Sequence, residues 1–164
     1  MSCVIAILED NEDRLAAMED RLRDRFPQFE RHYFAEAPRM IEWLEANLDH
    51  LTLIALDHDL ELIEIGNGQV RDPGTGREVA EFLAERRPTC PIVIHSSNSP
   101  AAVGMQTVLR EAGWQVSRSL PCDDLAWIDT DWFPTVRSVL VNLATQPPLD
   151  SETHRTQPLE LKAS

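Results

Sequence analysis

Apolar positions along this chain follow two alternating rhythms. CVIAIL, Cys3 to Leu8, is an unbroken apolar run rich in β-branched residues, the pattern of a strand buried on both faces, and it stops abruptly at Glu9 and Asp10. From Asn11 the spacing changes. Leu15, Met18, Leu22 and Phe26 recur at steps of three and four, which predicts a helix capped by Asn11 and ended by Pro27. RHYFAE, residues 31–36, predicts a second strand, and RMIEWLEANL, residues 39–48, puts Met40, Ile41, Trp43, Leu44 and Leu48 largely on one helical side. LTLIALDHDL, residues 51–60, is a third strand that ends in Asp57, His58 and Asp59.

A polar, glycine-containing segment, Glu61 to Gly74, then separates this strand from the next helical pattern at residues 75–87, which stops before Pro88. Connections of that length in a compact domain are commonly functional lids or mobile loops. PIVIHSS, residues 91–97, is a fourth strand; a helix over 98–113 follows, with Ser99 as its cap, Pro100 at the first helical position and Gly113 as terminator. WQVSRSLP, residues 114–121, predicts a fifth, less regular strand, and DWFPTVRSVLVNLA, residues 131–144, a final helix whose first turn accepts Pro134. The segment 146–164 loses periodicity and is expected to be a disordered tail behind a single domain spanning residues 1–145.

Five strand–helix units predict an α/β fold: a five-stranded parallel sheet covered by helices on both faces. In such sheets ligands bind beyond the carboxyl ends of the strands. The polar residues of this chain gather there. Glu9 and Asp10 end the first strand, Asp57, His58 and Asp59 the third, and His95, Ser96 and Ser97 the fourth. Composition narrows what that edge can hold. A formal charge of -13 argues against a surface that tracks a long nucleic-acid backbone, because such binding depends on Lys and Arg neutralising phosphates. A small phosphorylated ligand held by metal remains open. Cys3, Cys90 and Cys122 form no CxxC pair, so neither a disulfide framework nor a zinc site is indicated and a reducing cytoplasm fits. No stretch approaches the ~20 apolar residues of a membrane span.

The constellation resembles the receiver domain of two-component signalling, a (βα)5 flavodoxin-like module, over roughly residues 3–144. AILEDN matches the receiver's first strand, so the resemblance makes Glu9 and Asp10 magnesium-binding carboxylates and Asp57 the aspartate that accepts a phosphoryl group. Ser96 and Ser97 span the position of the receiver's phosphate-contacting Ser or Thr. Pro121 lies where receivers carry a Lys-Pro pair, but Leu120 takes the place of the lysine, and the nearest cation is Arg118. The long insertion after the aspartate, with LDHDL, VIHSSN and GREVAEFL, looks more like the divergent cyclic-phosphate-processing receiver branch. That resemblance implies hydrolysis of cyclic phosphates and carries Asp57, His58, Asp59, His95 and Ser96 across as residues of interest.

Several carboxylates in one crevice repel each other, and a hard divalent cation removes that cost. Asp10 and Asp57 are the expected direct ligands, Glu9 a direct or water-mediated one, and Asp59 a further candidate, with Mg2+ or Mn2+ as the ion. Two chemistries follow. Asp57 attacks a phosphoryl donor, or an activated water opens a cyclic phosphodiester of a nucleotide or RNA end with His58 or His95 moving the proton. In the second case Ser96, Ser97 and Arg118 bind the phosphate, and Arg71 is a weaker cation candidate. The first case is a single-domain response regulator served by a histidine kinase; a receiver-like binding module without chemistry is a third reading. GNG at residues 66–68 reads as a turn more readily than as a phosphate cradle. Trp127, Trp132 and Phe133 read as core more readily than as a base-stacking wall, and DDLAWIDTDW, residues 123–132, as a solvated connection.

Overall fold

The computed structural model describes residues 3–122 and 124–145; the expected tail lies outside the described residues. The apolar runs become β1 (Val4–Leu8), β2 (Glu30–Phe34) and β3 (Leu53–Leu56), then β6 (Ile92–His95) and β7 (Val116–Ser119). These five pair in parallel in the order β2-β1-β3-β6-β7. Their side chains alternate between two cores. Ile5, Ile7, Leu53, Ala55 and Val93 point to one side, where α1 (Glu12–Arg25) supplies Met18 and Leu22 and α5 (Phe133–Thr145) supplies Val136 and Leu140. Ala6, Leu8, Ile54, Leu56, Ile92 and Ile94 point to the other, under α2 (Ala37–Asn47), α3 (Gly76–Ala84) and α4 (Ser99–Glu111). Because both faces of the central strands are covered, each fully buried Leu or Ile contributes about 1.5–3 kcal/mol, and a polar residue is tolerated only where a strand ends. The five-stranded parallel sheet with helices on both faces is the α/β fold that the alternation predicts and the flavodoxin-like receiver fold that the resemblance implies.

The chain runs outward from β1 to β2 and then returns to the opposite side of β1 as β3. That reversal opens a crevice at the carboxyl ends of β1 and β3. The start of α3 closes against it: the Gly76 N–H donates to the His58 carbonyl at 3.0 Å, and a Cβ at Gly76 would lie 1.9 Å from the Asp57 carbonyl oxygen.

Three segments depart from the sequence reading. Within residues 61–74 an antiparallel hairpin forms from β4 (Ile63–Gly66) and β5 (Gln69–Arg71), separate from the main sheet. Asn67 and Gly68 join its strands at φ 53° and 70°, both positive as a type I′ turn requires, so the GNG is a turn as read and the segment around it is ordered strand. The acidic run is not a solvated connection. Trp127, Ile128 and Trp132 are buried, and a π turn over Ile128–Trp132 leads into α5. Pro134 follows directly; it lacks an N–H and crowds the carbonyl four residues back, which the widened ladder accommodates. The cap of α4 is Asn98, whose Oδ1 accepts from the Ala101 N–H at 3.2 Å, rather than Ser99. Among the described residues no helix is long and apolar enough to cross a membrane.

The edge strand β2 is fastened to α1 by Glu19, which accepts from Arg31 Nε at 2.8 Å, Arg31 Nη2 at 3.0 Å and the Tyr33 hydroxyl. Burial pushes the Glu19 carboxyl up, but the Arg31 and Tyr33 hydrogen bonds outweigh it and hold it below its ordinary 4.5. A depressed carboxylate stabilises the fold above its unfolded value of about 4.3, and that contribution is lost as pH falls through the lower folded value. Glu19→Gln should therefore cost about 1 kcal/mol at pH 7, with the gap to the parent closing below pH 4 in urea unfolding. Gly76→Ala should cost more than about 2 kcal/mol in the same assay, since the backbone of Asp57 must move to admit one methyl group.

Candidate metal and phosphate site

Every carboxylate of the site stands where a buried strand runs out of apolar sequence. Glu9 follows β1 and is fully buried, with its N–H donated to the Phe34 carbonyl at 2.9 Å; its Oε1 accepts from the Asn11 N–H at 3.0 Å. Asp57 follows β3, donates its N–H to the Leu8 carbonyl at 3.0 Å and accepts from the His58 N–H at 2.7 Å. Asp10 sits at the mouth, where its Oδ2 accepts from the Glu61 N–H and so ties the base of the β4–β5 hairpin to the site. Ligand oxygens of Glu9, Asp10 and Asp57 lie within 4.8 Å of one another.

Burial acts on the two inner carboxyls with different results. For Asp57, desolvation reinforced by the neighbouring Glu9 charge pushes the carboxyl up to about 6, against the opposing pull of His95, the His58 N–H and Arg14. Glu9 feels the same desolvation, yet His95, the Asn11 N–H and Arg14 hold it below its ordinary 4.5. His95 Nε2 stands 3.3 Å from Glu9 Oε2 without forming a hydrogen bond, and Oε2 has no hydrogen-bond donor. Three converging oxygens, one of them buried and undonated, with an elevated Asp57, form a donor set that fits a hard divalent cation. Glu9, Asp10 and Asp57 would hold it.

The expected site residues separate into those that reach the cleft and those that do not. A cleft of about 250 Å³ is lined by Asp10, Asn11, Arg14, Asp57, Asp59, Leu60, Glu61 and Ser97, at the small end of ligand pockets and sized for a compact ester. Asp59 lines it but stands outside the three-carboxylate cluster, because it is engaged by His58 Nδ1 at 2.7 Å and by Asn98 Nδ2 at 3.4 Å. His58 is held beside the cleft by Asp59 and is not itself among the residues that line it. Ser97 is exposed to the cleft, whereas Ser96 is buried beneath it and its Oγ accepts the Asn98 N–H at 3.2 Å to turn the chain into α4. The assignment of Ser96 to substrate contact is corrected accordingly.

Two further expectations are corrected. His95 is fully buried, with its ring 6.2 Å from both the Trp127 and Trp132 rings, so it backs Glu9 and presents no surface to a substrate. Arg118 pairs in register with Ile94 on β7 and does not line the cleft, while Leu120, at the lysine position, is 54% exposed. Arg71 is bound to Glu36. The cation that does reach the site is Arg14, whose Nη1 lies 3.7 Å from Glu9 and 3.6 Å from Asp57 and whose guanidinium sits 5.6 Å over the Trp127 ring. Its sequence signal was present but unread. A cation in a first helical turn opposes the helix dipole, and Arg14 lies one turn from Asp10.

Comparison with solved structures places this architecture among receiver domains. A response regulator receiver domain from Rhodospirillum rubrum superimposes with TM-score 0.61 at 16% identity, covering 88% of this chain and 96% of the other. The phosphorylated cyanobacterial phytochrome response regulator RcpA gives 0.66 at 16%, covering 90% and 99%, and the Mn2+-bound form of response regulator Rcp1 gives 0.64 at 16%, covering 88% and 98%. No curated protein sequence matches this chain. Within the receiver class a narrower assignment follows from sequence: the family described as the cyclic-phosphate processing Receiver domain matches residues 7–111, and the chain belongs to it.

Titrating the protein with Mn2+ while following the free ion by electron paramagnetic resonance should show one binding site, and Asp57→Asn should weaken it by tenfold or more. Arg71→Gln, which lies on the hairpin away from the three carboxylates, should leave the titration unchanged.

Proposed function

We propose that this chain is a divalent-cation-dependent phosphodiesterase that opens a cyclic phosphate, most concretely the 2′,3′-cyclic phosphate of a nucleotide or RNA end. The observation that carries this reading is that one small cleft is lined by Asp10 and Asp57 of the three-carboxylate cluster together with Asp59, the residue that holds the His58 ring. The family description supports it, and the Mn2+ held by the Rcp1 relative supports a divalent ion at the carboxylates. An all-oxygen donor set suits Mg2+, with Mn2+ as a close substitute. The wide spacing of Cys3, Cys90 and Cys122, with no CxxC pair, supports a reducing, cytoplasmic setting.

In this reading a water oxygen bonds to phosphorus as the bond from phosphorus to one ring oxygen breaks. The leaving oxygen takes a proton, the attacking water loses one, and a phosphomonoester results. Asp59 holds His58 by Nδ1, which leaves Nε2 as the ring atom that transfers a proton. Ser97 and Arg14 face the phosphate from the cleft wall. When bound, the cation would spread the charge that develops on the phosphoryl oxygens.

The receiver architecture also supports a second reading, phosphorylation of Asp57 by a histidine kinase in a phosphorelay. Leu120 in the lysine position weighs against it, because no residue of β7 is among those that line the cleft and the cation in the lining, Arg14, comes from α1. Incubating the protein with Mg2+ and either 2′,3′-cyclic AMP or acetyl phosphate separates the two. The expected result is ring opening by the parent, none by Asp57→Ala, and a loss of about 10²–10⁴ in kcat for His58→Ala with Mn2+ affinity retained. A phosphate-sized gain in intact mass with no ring opening would replace this reading by the phosphorelay.

A further inference from the structure

The charges of the cleft do not balance. Asp10, Asp57, Asp59 and Glu61 line it and Glu9 lies behind them, against Arg14 as the one basic side chain in the lining. One divalent cation neutralises two of these five carboxylates, which leaves Arg14 as the one further positive charge in the lining. The described residues include no lysine, Arg71 is bound to Glu36 and Arg77 to Glu81, and Arg118 does not line the cleft.

Arg14 is itself poised and uncommitted. Its 3.6 Å and 3.7 Å approaches to Asp57 and Glu9 are ion-pair distances, longer than hydrogen bonds, so its N–H donors remain available. The Trp127 ring beneath the guanidinium fixes where it stands, and the side chain is 26% exposed, at the cleft wall.

We infer that Arg14 receives the phosphate and that the site selects ligands by charge, admitting a singly charged phosphodiester and rejecting a doubly charged phosphomonoester. The inference rests on the proposed function and extends it to specificity and product release. A cyclic phosphodiester carries one negative charge. Once the ring opens, the product acquires a second ionisation with a pKa of about 6, so at neutral pH it becomes a dianion. The Arg14 guanidinium can pair with the first charge, and the uncompensated carboxylates around it repel the second. Hydrolysis thereby lowers the ligand's affinity for its own site.

The test compares two ligands that differ in charge and cannot cyclise: 2′-deoxyadenosine 3′-phosphate and its methyl ester. Both are titrated calorimetrically into the Mg2+-loaded full chain at pH 7.5. The methyl ester should bind at least tenfold more tightly than the monoester. Arg14→Gln should lose at least tenfold in methyl-ester affinity while binding Mn2+ no more weakly than the parent, Arg14→Lys should recover part of that loss, and Glu61→Gln should narrow the gap between the two ligands. Equal or tighter binding of the monoester, no binding of the methyl ester, or an unchanged methyl-ester affinity in Arg14→Gln would overturn the inference. If Arg14→Gln fails to fold, the parent and Glu61→Gln comparisons still decide it. Charge preference without turnover of 2′,3′-cyclic AMP would refute the proposed reaction alone; turnover without charge preference would refute this inference alone.

Discussion

The constraint on which the structure depends is the crowding of like charges at the one edge of the sheet where apolar sequence ends. Glu9 and Asp57 emerge from β1 and β3, neighbours in the sheet, and both are buried. Neither water nor distance relieves their repulsion. The surroundings supply the relief instead: Arg14 from the first turn of α1, the His95 ring from the end of β6, and backbone N–H groups from Asn11 and His58. The imbalance that remains at Asp57 is what gives the cluster its demand for a cation.

The second core explains why this edge can be so polar without loosening the fold. Trp127 and Trp132 close over His95 and Glu9 from the α5 side, and Asp131 in the π turn accepts the Ser119 hydroxyl at 3.0 Å and the Leu120 N–H at 2.8 Å. The end of β7 is thereby pinned to the helix that follows it. With the backbone of Leu120 held in this way and its side chain exposed, the strand end offers no charge to the cleft. Among the residues that line the cleft the basic side chain comes from the first helix, as Arg14, and none comes from the fifth strand of the sheet.

Most of the fold was legible because its strands are continuous apolar runs, and a run buried on both faces cannot be mistaken for a surface helix of the same length. The position of the site was legible for a related reason: Glu9, Asp10 and Asp57 break those runs at their carboxyl ends. What sequence did not reveal depends on packing. His95 and Ser96 differ from Ser97 in burial alone, which no local pattern encodes. Trp127 and Trp132 are core as read, but the buried turn that carries them was hidden by acidic neighbours that face solvent, where Asp129 pairs with Arg21. The hairpin was missed because its strands are short and mostly exposed, although Asn67-Gly68 is a strong local signal for the turn that closes it.

The hairpin has a consequence for how the molecule breathes. An isolated two-stranded ribbon has marginal stability, and this one borrows its order from two attachments at its open end, Arg71 to Glu36 and the Glu61 amide to Asp10. Its amides belong to a smaller cooperative unit than those of the five-stranded sheet and exchange with solvent through partial opening. The Glu61 amide is the link between that motion and the chemistry of the edge. Because its acceptor is a carboxylate of the cluster, the exchange rate of this one proton reports on whether Asp10 is turned toward the hairpin or engaged elsewhere.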